Sequence, residues 1–226
     1  ALNHTTTFTY DDANNTVIIT NAEGVQTKTI TNPFGEQVQV IDGNNNITQF
    51  DYDLDGNLTH TTDAEGNVTE AKFDDGGRQF QTIAANGTKT TLTYDGFSRV
   101  HTRIVDDGGL NLTTTYEYDA KGRAIRTTDA SGTITRTVYD NAGQVFQTIH
   151  DEGGLNITTE YGYDELGNQV SVTEAKGTTE ERTTRYAYDN LGRLCFTIDA
   201  LNQVIETEYD ALGNAMAAHA YETAYT

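Results

Sequence analysis

The sequence predicts an all-β protein: repetitive antiparallel β-hairpins forming one long curled or spiralling sheet. Three observations predict it. An aromatic residue followed by Asp returns about every 21 residues, Gly or Asn returns at two fixed distances behind it, and short runs of Thr, Val, Ile and Tyr lie between. The aromatic position holds Tyr10, Tyr52, Phe73, Tyr94, Tyr118, Tyr139, Tyr163, Tyr188 and Tyr209, with a degenerate copy at Thr31-Asn32. The spacings are 21, 21, 21, 21, 24, 21, 24, 25 and 21 residues, and eight of the 13 tyrosines occupy this one position. Periods of this length mark repeat architectures.

Each repeat contains two turn signals. Four residues after the aromatic stand Gly35, Gly56, Gly77, Gly122, Gly143, Gly167, Gly192 and Gly213, with Asn14 and Ser98 as exceptions. Fourteen residues after it stand Gly24, Gly66, Gly87, Gly108, Gly132, Gly153 and Gly177, with Asn45 and Asn202 substituting. Gly, and less readily Asn, tolerates positive φ, so both slots read as left-handed turn positions. Asp after the aromatic suits the turn start, where its carboxylate accepts backbone N–H groups. Asp-x-x-Gly is then a type I turn closed by a left-handed Gly. The second turn reads Asp-Ala-x-Gly, as at Asp63-Ala64-Glu65-Gly66 and Asp129-Ala130-Ser131-Gly132.

Between the turns, stretches such as Thr16-Val17-Ile18-Ile19-Thr20 and Gln37-Val38-Gln39-Val40-Ile41 are strand formers bounded by Asp, Asn and Gly. Two residues before the frame tyrosine come Phe8, Phe50, Tyr116, Tyr161 and Tyr186. Strand positions two apart share a face, so the aromatics are expected to form a ladder on one side of the sheet. In the longer repeats, Asp106-Asp107-Gly108-Gly109-Leu110-Asn111 recurs 45 residues later as Asp151-Glu152-Gly153-Gly154-Leu155-Asn156. The extra residues fall at the second turn, as expected for exposed hairpin tips. Residues 1–214 thus read as an array of about ten repeats, and 215–226 as a decayed repeat or tail whose Ala-rich stretch suits either a helical start or a decayed repeat.

Composition excludes several function classes. In 226 residues, 34 acidic against 14 basic side chains give a net charge of −20. Phosphate-backbone binding needs Lys and Arg to replace counterions, so nucleic acid is not an expected partner. No run approaches the roughly 20 apolar residues that span a bilayer, so no membrane insertion is expected. A single cysteine, Cys195, precludes an internal disulfide framework, and its place in an apolar strand reads as packing rather than nucleophile. The opening Ala1-Leu2-Asn3-His4 suggests a piece of a longer protein.

A repeat of 21 residues opening on Tyr-Asp with Gly four positions on resembles the YD repeat of RHS-type proteins. Tyr118-Asp119-Ala120-Lys121-Gly122-Arg123 and Tyr188-Asp189-Asn190-Leu191-Gly192-Arg193 carry the resemblance best, with Tyr52-Asp53-Leu54-Asp55-Gly56-Asn57 and Tyr209-Asp210-Ala211-Leu212-Gly213-Asn214 close behind. It covers about residues 10–214; the first two copies depart most, with Asn14 for Gly and Thr31-Asn32-Pro33-Phe34-Gly35 lacking the tyrosine. The resemblance implies hairpins joined into a sheet that spirals into a hollow shell. In bacterial toxin complexes and polymorphic toxins such a shell encloses a toxic domain, and in teneurins it belongs to an adhesion receptor. It implies a structural role without catalysis or cofactor, at the cell surface or secreted. The implied partners are neighbouring YD repeats of the same chain or other subunits, and an encapsulated toxin domain.

Other sites compete poorly with bland readings. Asp51, Asp53 and Asp55 precede Gly56 like the start of a calcium loop, but the twelfth position is Thr62 rather than Glu, and Asp53 and Gly56 are ordinary repeat positions. Eight Asn-x-Thr triplets, at Asn3, Asn14, Asn46, Asn57, Asn67, Asn86, Asn111 and Asn156, arise wherever a Thr-rich strand follows an Asn-bearing turn. The five histidines share no repeat position and form no metal-spacing motif, so no metal or catalytic residue is expected. Two further readings stand beside the shell: a self-assembling extracellular fibre or adhesin, and a carbohydrate-binding surface built on the tyrosine row.

Overall fold

The computed structural model describes residues 5–221. The chain divides into two compact units, residues 1–113 and 114–226. The first contains β1 (Thr7–Asp11), β2 (Thr16–Thr20), β3 (Gln26–Thr31), β4 (Gln37–Ile41), β5 (Ile47–Tyr52), β6 (Leu58–Thr62), β7 (Val68–Phe73), β8 (Gln79–Ile83), β9 (Lys89–Tyr94) and β10 (Val100–Val105). The second contains β11 (Leu112–Tyr118), which starts just before the boundary, then β12 (Ala124–Thr128), β13 (Ile134–Tyr139), β14 (Val145–His150), β15 (Ile157–Tyr163), β16 (Gln169–Glu174), β17 (Arg182–Tyr188), β18 (Leu194–Ile198), β19 (Val204–Tyr209) and β20 (Ala215–Tyr221). In each unit every strand pairs antiparallel with the next in sequence, from β1–β2 to β9–β10 and from β11–β12 to β19–β20. The protein is all-β, built of repetitive antiparallel hairpins, with no helix among the described residues. The Ala-rich segment from residue 215 is strand, not helix: β20 closes the last hairpin against β19.

Two kinds of hairpin alternate. At the Asp-x-x-Gly turn the Asp53 N–H donates to Asn57 O at 3.0 Å and the Gly56 N–H donates to Asp53 O at 3.2 Å. The left-handed Gly costs one residue of register: Asp51 faces His60, but Tyr52 faces Leu58. This bulge returns beside nearly every such turn. At five of the second turns the strands pair over three residues only. Beyond His60–Glu70, β6 and β7 diverge.

Positive φ occurs at Gly56 (83°) and Gly66 (83°), and in the same slots Asn45 (65°), Ser98 (62°) and Asn202 (61°) take their place. The second copy keeps this geometry without a tyrosine: Asn32 N–H donates to Glu36 O and Gly35 N–H to Asn32 O. The first copy does not. Asn14 was the expected left-handed residue, but Asn15 carries the positive φ (49°). Asp11 pairs directly with Thr16 there, leaving a four-residue connection, and the Asn14 amide donates to the Asp11 carboxylate at 2.7 Å.

Alternation and register separate two faces. Phe50 and Tyr52 share one side with Val38 and Val40, while Gln49, Asp51, His60 and Glu70 face the other. In the second unit Tyr161, Tyr163, Val172, Tyr186 and Tyr188 share a side, opposite Glu160, Ser171 and Arg185. Neither face is covered. Among the described residues no apolar side chain is buried, and the most enclosed residue is Thr173 at 8% exposure. Cys195 is half-buried, so the core expected to receive it is only a half-covered face.

Backbone strain at the turns makes a testable prediction. A Cβ on Gly132 (φ 86°) would meet nothing within 4 Å, whereas one on Gly56 would meet Glu36 Oε1 at 2.9 Å. Gly132→Val should cost about 1–2 kcal/mol in urea unfolding from φ alone, with Gly132→Asn costing less. Gly56→Val should cost a similar amount, because the Glu36 carboxylate is the mobile end of a flexible side chain and can swing aside. Equal stability of Gly132→Val and the parent would overturn the left-handed assignment.

Candidate functional site at the joint between repeats

The turn carboxylate is the starting point. Asp119 Oδ1 accepts the N–H of Lys121 and of Arg123, both at 2.9 Å, and Oδ2 accepts Arg123 Nε at 2.7 Å. Arg123 Nη2 lies 2.6 Å from the same oxygen, a bidentate charge-assisted contact. Asp74–Arg78, Asp95–Arg99 and Asp189–Arg193 repeat it. At Asp53, Asp164 and Asp210 an Asn amide replaces the guanidinium, donating from Asn57, Asn168 and Asn214. At Asn32 the polarity is reversed: its amide donates to the Glu36 carboxylate at 2.6 Å.

The fifth turn residue then reaches the next repeat. The guanidinium of Arg123 lies 4.2 Å from the ring centre of Tyr139, with Arg78 over Tyr94 at 4.9 Å and Arg193 over Tyr209 at 4.8 Å. Arg78 Nη1 also donates to Ser98 Oγ at 3.0 Å, and Gln144 Nε2 to Gly167 O at 3.1 Å. Tyrosine closes the joint from the other side. The Tyr52, Tyr139, Tyr163, Tyr188 and Tyr209 hydroxyls donate to the carbonyls of Gln37, Ala124, Val145, Gln169 and Leu194 at 2.9–3.0 Å. Tyr94 makes the same bond to Gln79 O. Each acceptor lies two residues past the turn Gly of the preceding repeat, where the strands have diverged and the carbonyl lacks a ladder partner. The phenol supplies the missing bond.

Of the remaining frame aromatics, Phe73 holds the position without a hydroxyl, Tyr118 sits opposite Ala124, and Tyr10, on the first described strand, is 67% exposed. Gly56, Gly122, Gly143, Gly167, Gly192 and Gly213 all have φ between 76° and 93°. The acidic stretch is divided between strand and turn. Asp51 lies on β5 opposite His60, while Asp53 accepts the N–H groups of Asp55 and Asn57. No cluster of three His, Cys, Asp or Glu able to hold a metal occurs among the described residues.

A second device lies on the polar face and is not visible in the repeat pattern. In each longer hairpin the residue thirteen past the tyrosine folds back over the sheet. The N–H groups of Asp107, Glu152 and Lys176 donate to the carbonyls of Lys89, Ile134 and Thr158. Their side chains meet the residue three before the same tyrosine. Asp107 accepts from Thr91 at 2.6 Å, Glu152 from Arg136 at 3.2 Å, and Lys176 lies 3.8 Å from Glu160. The charges are exchanged between the last two. Glu152 also lies 3.2 Å from Arg126 Nε, relieving the direct opposition of Arg126 and Arg136 across β12 and β13.

Electrostatics follow the turns. The carboxyls of Asp42, Asp53, Asp63, Asp74, Asp164 and Asp210 are held below the ordinary range chiefly by the fifth residue's side-chain hydrogen bond. Arg99 does the same for Asp95, the Ser131 hydroxyl for Asp129, and the backbone N–H of Arg123 and Arg193 for Asp119 and Asp189. Burial raises the Tyr163 hydroxyl, which keeps its proton for Val145 O.

Strand, Asp turn, strand, second turn, and a tyrosine tied back to the previous repeat define a tandem β-hairpin repeat protein. The RHS Repeat family model matches residues 31–68 and 118–155. Those two stretches of the chain therefore resemble the RHS repeat. Among solved structures it is similar to a Photorhabdus luminescens Tc holotoxin pore at 17% identity, over 98% of this chain and 17% of that one, with a TM-score of 0.44. It is also similar to a TcdB2-TccC3 crystal structure without the hypervariable C-terminal region, at 17% identity, over 96% and 17% of the two chains, with a TM-score of 0.41. A porin-like protein from Bacteroides uniformis matches at 12% identity over 94% and 92%, with a TM-score of 0.25. The chain spans less than a fifth of the Tc-complex chains. No curated protein sequence matches.

Two predictions test the joint. Tyr139→Phe should lower unfolding stability by about 1 kcal/mol, the net worth of one hydrogen bond, while Phe73→Tyr should not lower it. No loss in Tyr139→Phe would remove the hydroxyl from the joint. The lowered carboxyls also fix the sign of the acid response. Their stabilisation is full above the unfolded value of about 3.9 and is lost as pH falls through the lower folded values. The urea midpoint should hold from neutrality to about pH 5 and drop below about pH 4. A midpoint that rises on acidification would contradict the turn assignment.

Proposed function

We propose that this chain is a wall segment of a secreted or cell-surface RHS-type protein, forming part of a β-sheet shell that encapsulates or presents a toxin domain. The observation that carries this reading is the absence of any buried apolar side chain among the described residues. Such a sheet is suited to being one thickness of a larger wall whose aromatic side is covered by further repeats or by cargo. Exposed apolar residues at consecutive turn tips, Leu166, Leu191 and Leu212, fit the same role, since bare apolar patches mark surfaces that are covered in the assembled state. Its proposed partners are neighbouring repeats, other subunits and the enclosed domain. The role is non-enzymatic, because the conspicuous polar side chains are engaged in turns and joints. The saccharide platform is disfavoured on geometry: the rings of Tyr94, Tyr139 and Tyr209 lie under guanidinium groups and their hydroxyls are bonded.

Electron microscopy of the full-length protein separates the classes. Closed hollow particles with internal density are expected. Filaments growing with concentration would overturn the shell and establish the fibre.

A further inference from the structure

One turn departs chemically from its neighbours. Between β8 and β9 the chain reads Ala84-Ala85-Asn86-Gly87-Thr88, with Ala where the other five-residue turns place Asp or Asn. The backbone makes the usual turn, with Ala84 N–H to Thr88 O at 2.9 Å and Gly87 N–H to Ala84 O at 2.8 Å. No first-residue side chain accepts the N–H groups of the third and fifth residues. Instead Asn86 Oδ1 takes the Thr88 N–H at 3.0 Å. The Asn86 amide nitrogen has no partner among the described residues, unlike those of Asn46, Asn57 and Asn67, which donate to turn carboxylates. Asn86 is exposed, and its successor is a Gly with open space on its Cβ side. This is the one Asn-Gly pair in the chain.

We infer that Asn86 is a site of spontaneous covalent modification. The deprotonated Gly87 nitrogen attacks Asn86 Cγ, closing a five-membered succinimide and expelling the side-chain amide as ammonia. Water then opens the ring at either carbonyl, leaving Asp or isoaspartate. One water is consumed and one ammonia released, and no oxidant or cofactor takes part. Two structural features favour this turn. Gly87 offers no side chain to hinder attack. Freeing its nitrogen requires loss of the bond to Ala84 O, and a hairpin tip without its carboxylate anchor opens at lower cost than the anchored ones. The products change the hairpin unequally. Asp adds one negative charge and keeps the backbone. Isoaspartate lengthens the backbone by one carbon within the Ala84–Thr88 ring and breaks the turn's spacing.

The test is incubation of the full, folded chain at mildly alkaline pH, with peptide mass spectrometry and enzymatic methyl labelling of isoaspartate. Acid and isoaspartate are expected at residue 86 before any other asparagine, and Asn86→Gln should abolish that signal. Ala84→Asp, which restores the missing anchor, should slow conversion in the folded chain, while both sequences convert alike in urea. Earlier conversion elsewhere would overturn the inference. So would a folded chain that keeps Asn86 intact while the unfolded chain converts, or an Ala84→Asp variant that reacts as fast as the parent.

Discussion

In a sheet whose described residues bury no apolar side chain, cohesion must run sideways, from strand to strand, through hydrogen bonds and edge contacts. A backbone ladder supplies that wherever strands stay in register. It fails in pairs joined by a second turn, at the end away from that turn, where the strands diverge and carbonyls such as Ala124 O, just past an Asp turn, lose their partner. Everything distinctive in the repeat answers this local failure. The tyrosine hydroxyl takes the orphan carbonyl, its ring fills the gap, and the arginine or amide of the preceding turn closes over it. The Asp that organises the turn also aims that arginine. One carboxylate therefore serves local folding and attachment of the next unit together.

The strong acidity has a different meaning once the turns are seen. A net charge of −20 suggests a repulsive surface, kept for solubility or against edge association. Yet among the described residues fourteen aspartates face backbone N–H groups of their own turns, and four of them also face an arginine. Much of the negative charge is thus the by-product of using Asp as a turn organiser in copy after copy. The basic residues are few, yet Arg78, Arg123 and Arg193 each lie over a tyrosine of the next repeat.

The period, the two turns and the strand stretches were legible because each depends on local chemistry: positive φ restricts a slot to Gly, Asn or an occasional Ser, and Asp announces the turn start. The tyrosine was legible as a position but not as a bond. Its acceptor is a backbone carbonyl, which leaves no residue signature, and it lies 15 residues back at Tyr139 but 19 at Tyr188 because the longer hairpin intervenes. The fifth turn residue could have been found, since Arg, Asn or Gln recurs there, but its value lies in the next repeat's ring. Asn14 misled because an Asn pair allows the left-handed residue to shift by one.

The fold-back contacts of the longer hairpins bear on how such an array can evolve. Repeats of near-identical sequence gain and lose copies by recombination, and a crossover between repeats of the shorter, 21-residue kind would join equivalent halves with little penalty. Between residues 136 and 152 the situation differs, because Arg136 and Glu152 must come from the same parent. A crossover there that set Lys176 of the following unit against Arg136 would oppose two cations. One that set Glu152 against Glu160 would oppose two anions. The permitted breakpoints are therefore uneven along the gene, and each strand of this type should be inherited in one block with its own loop.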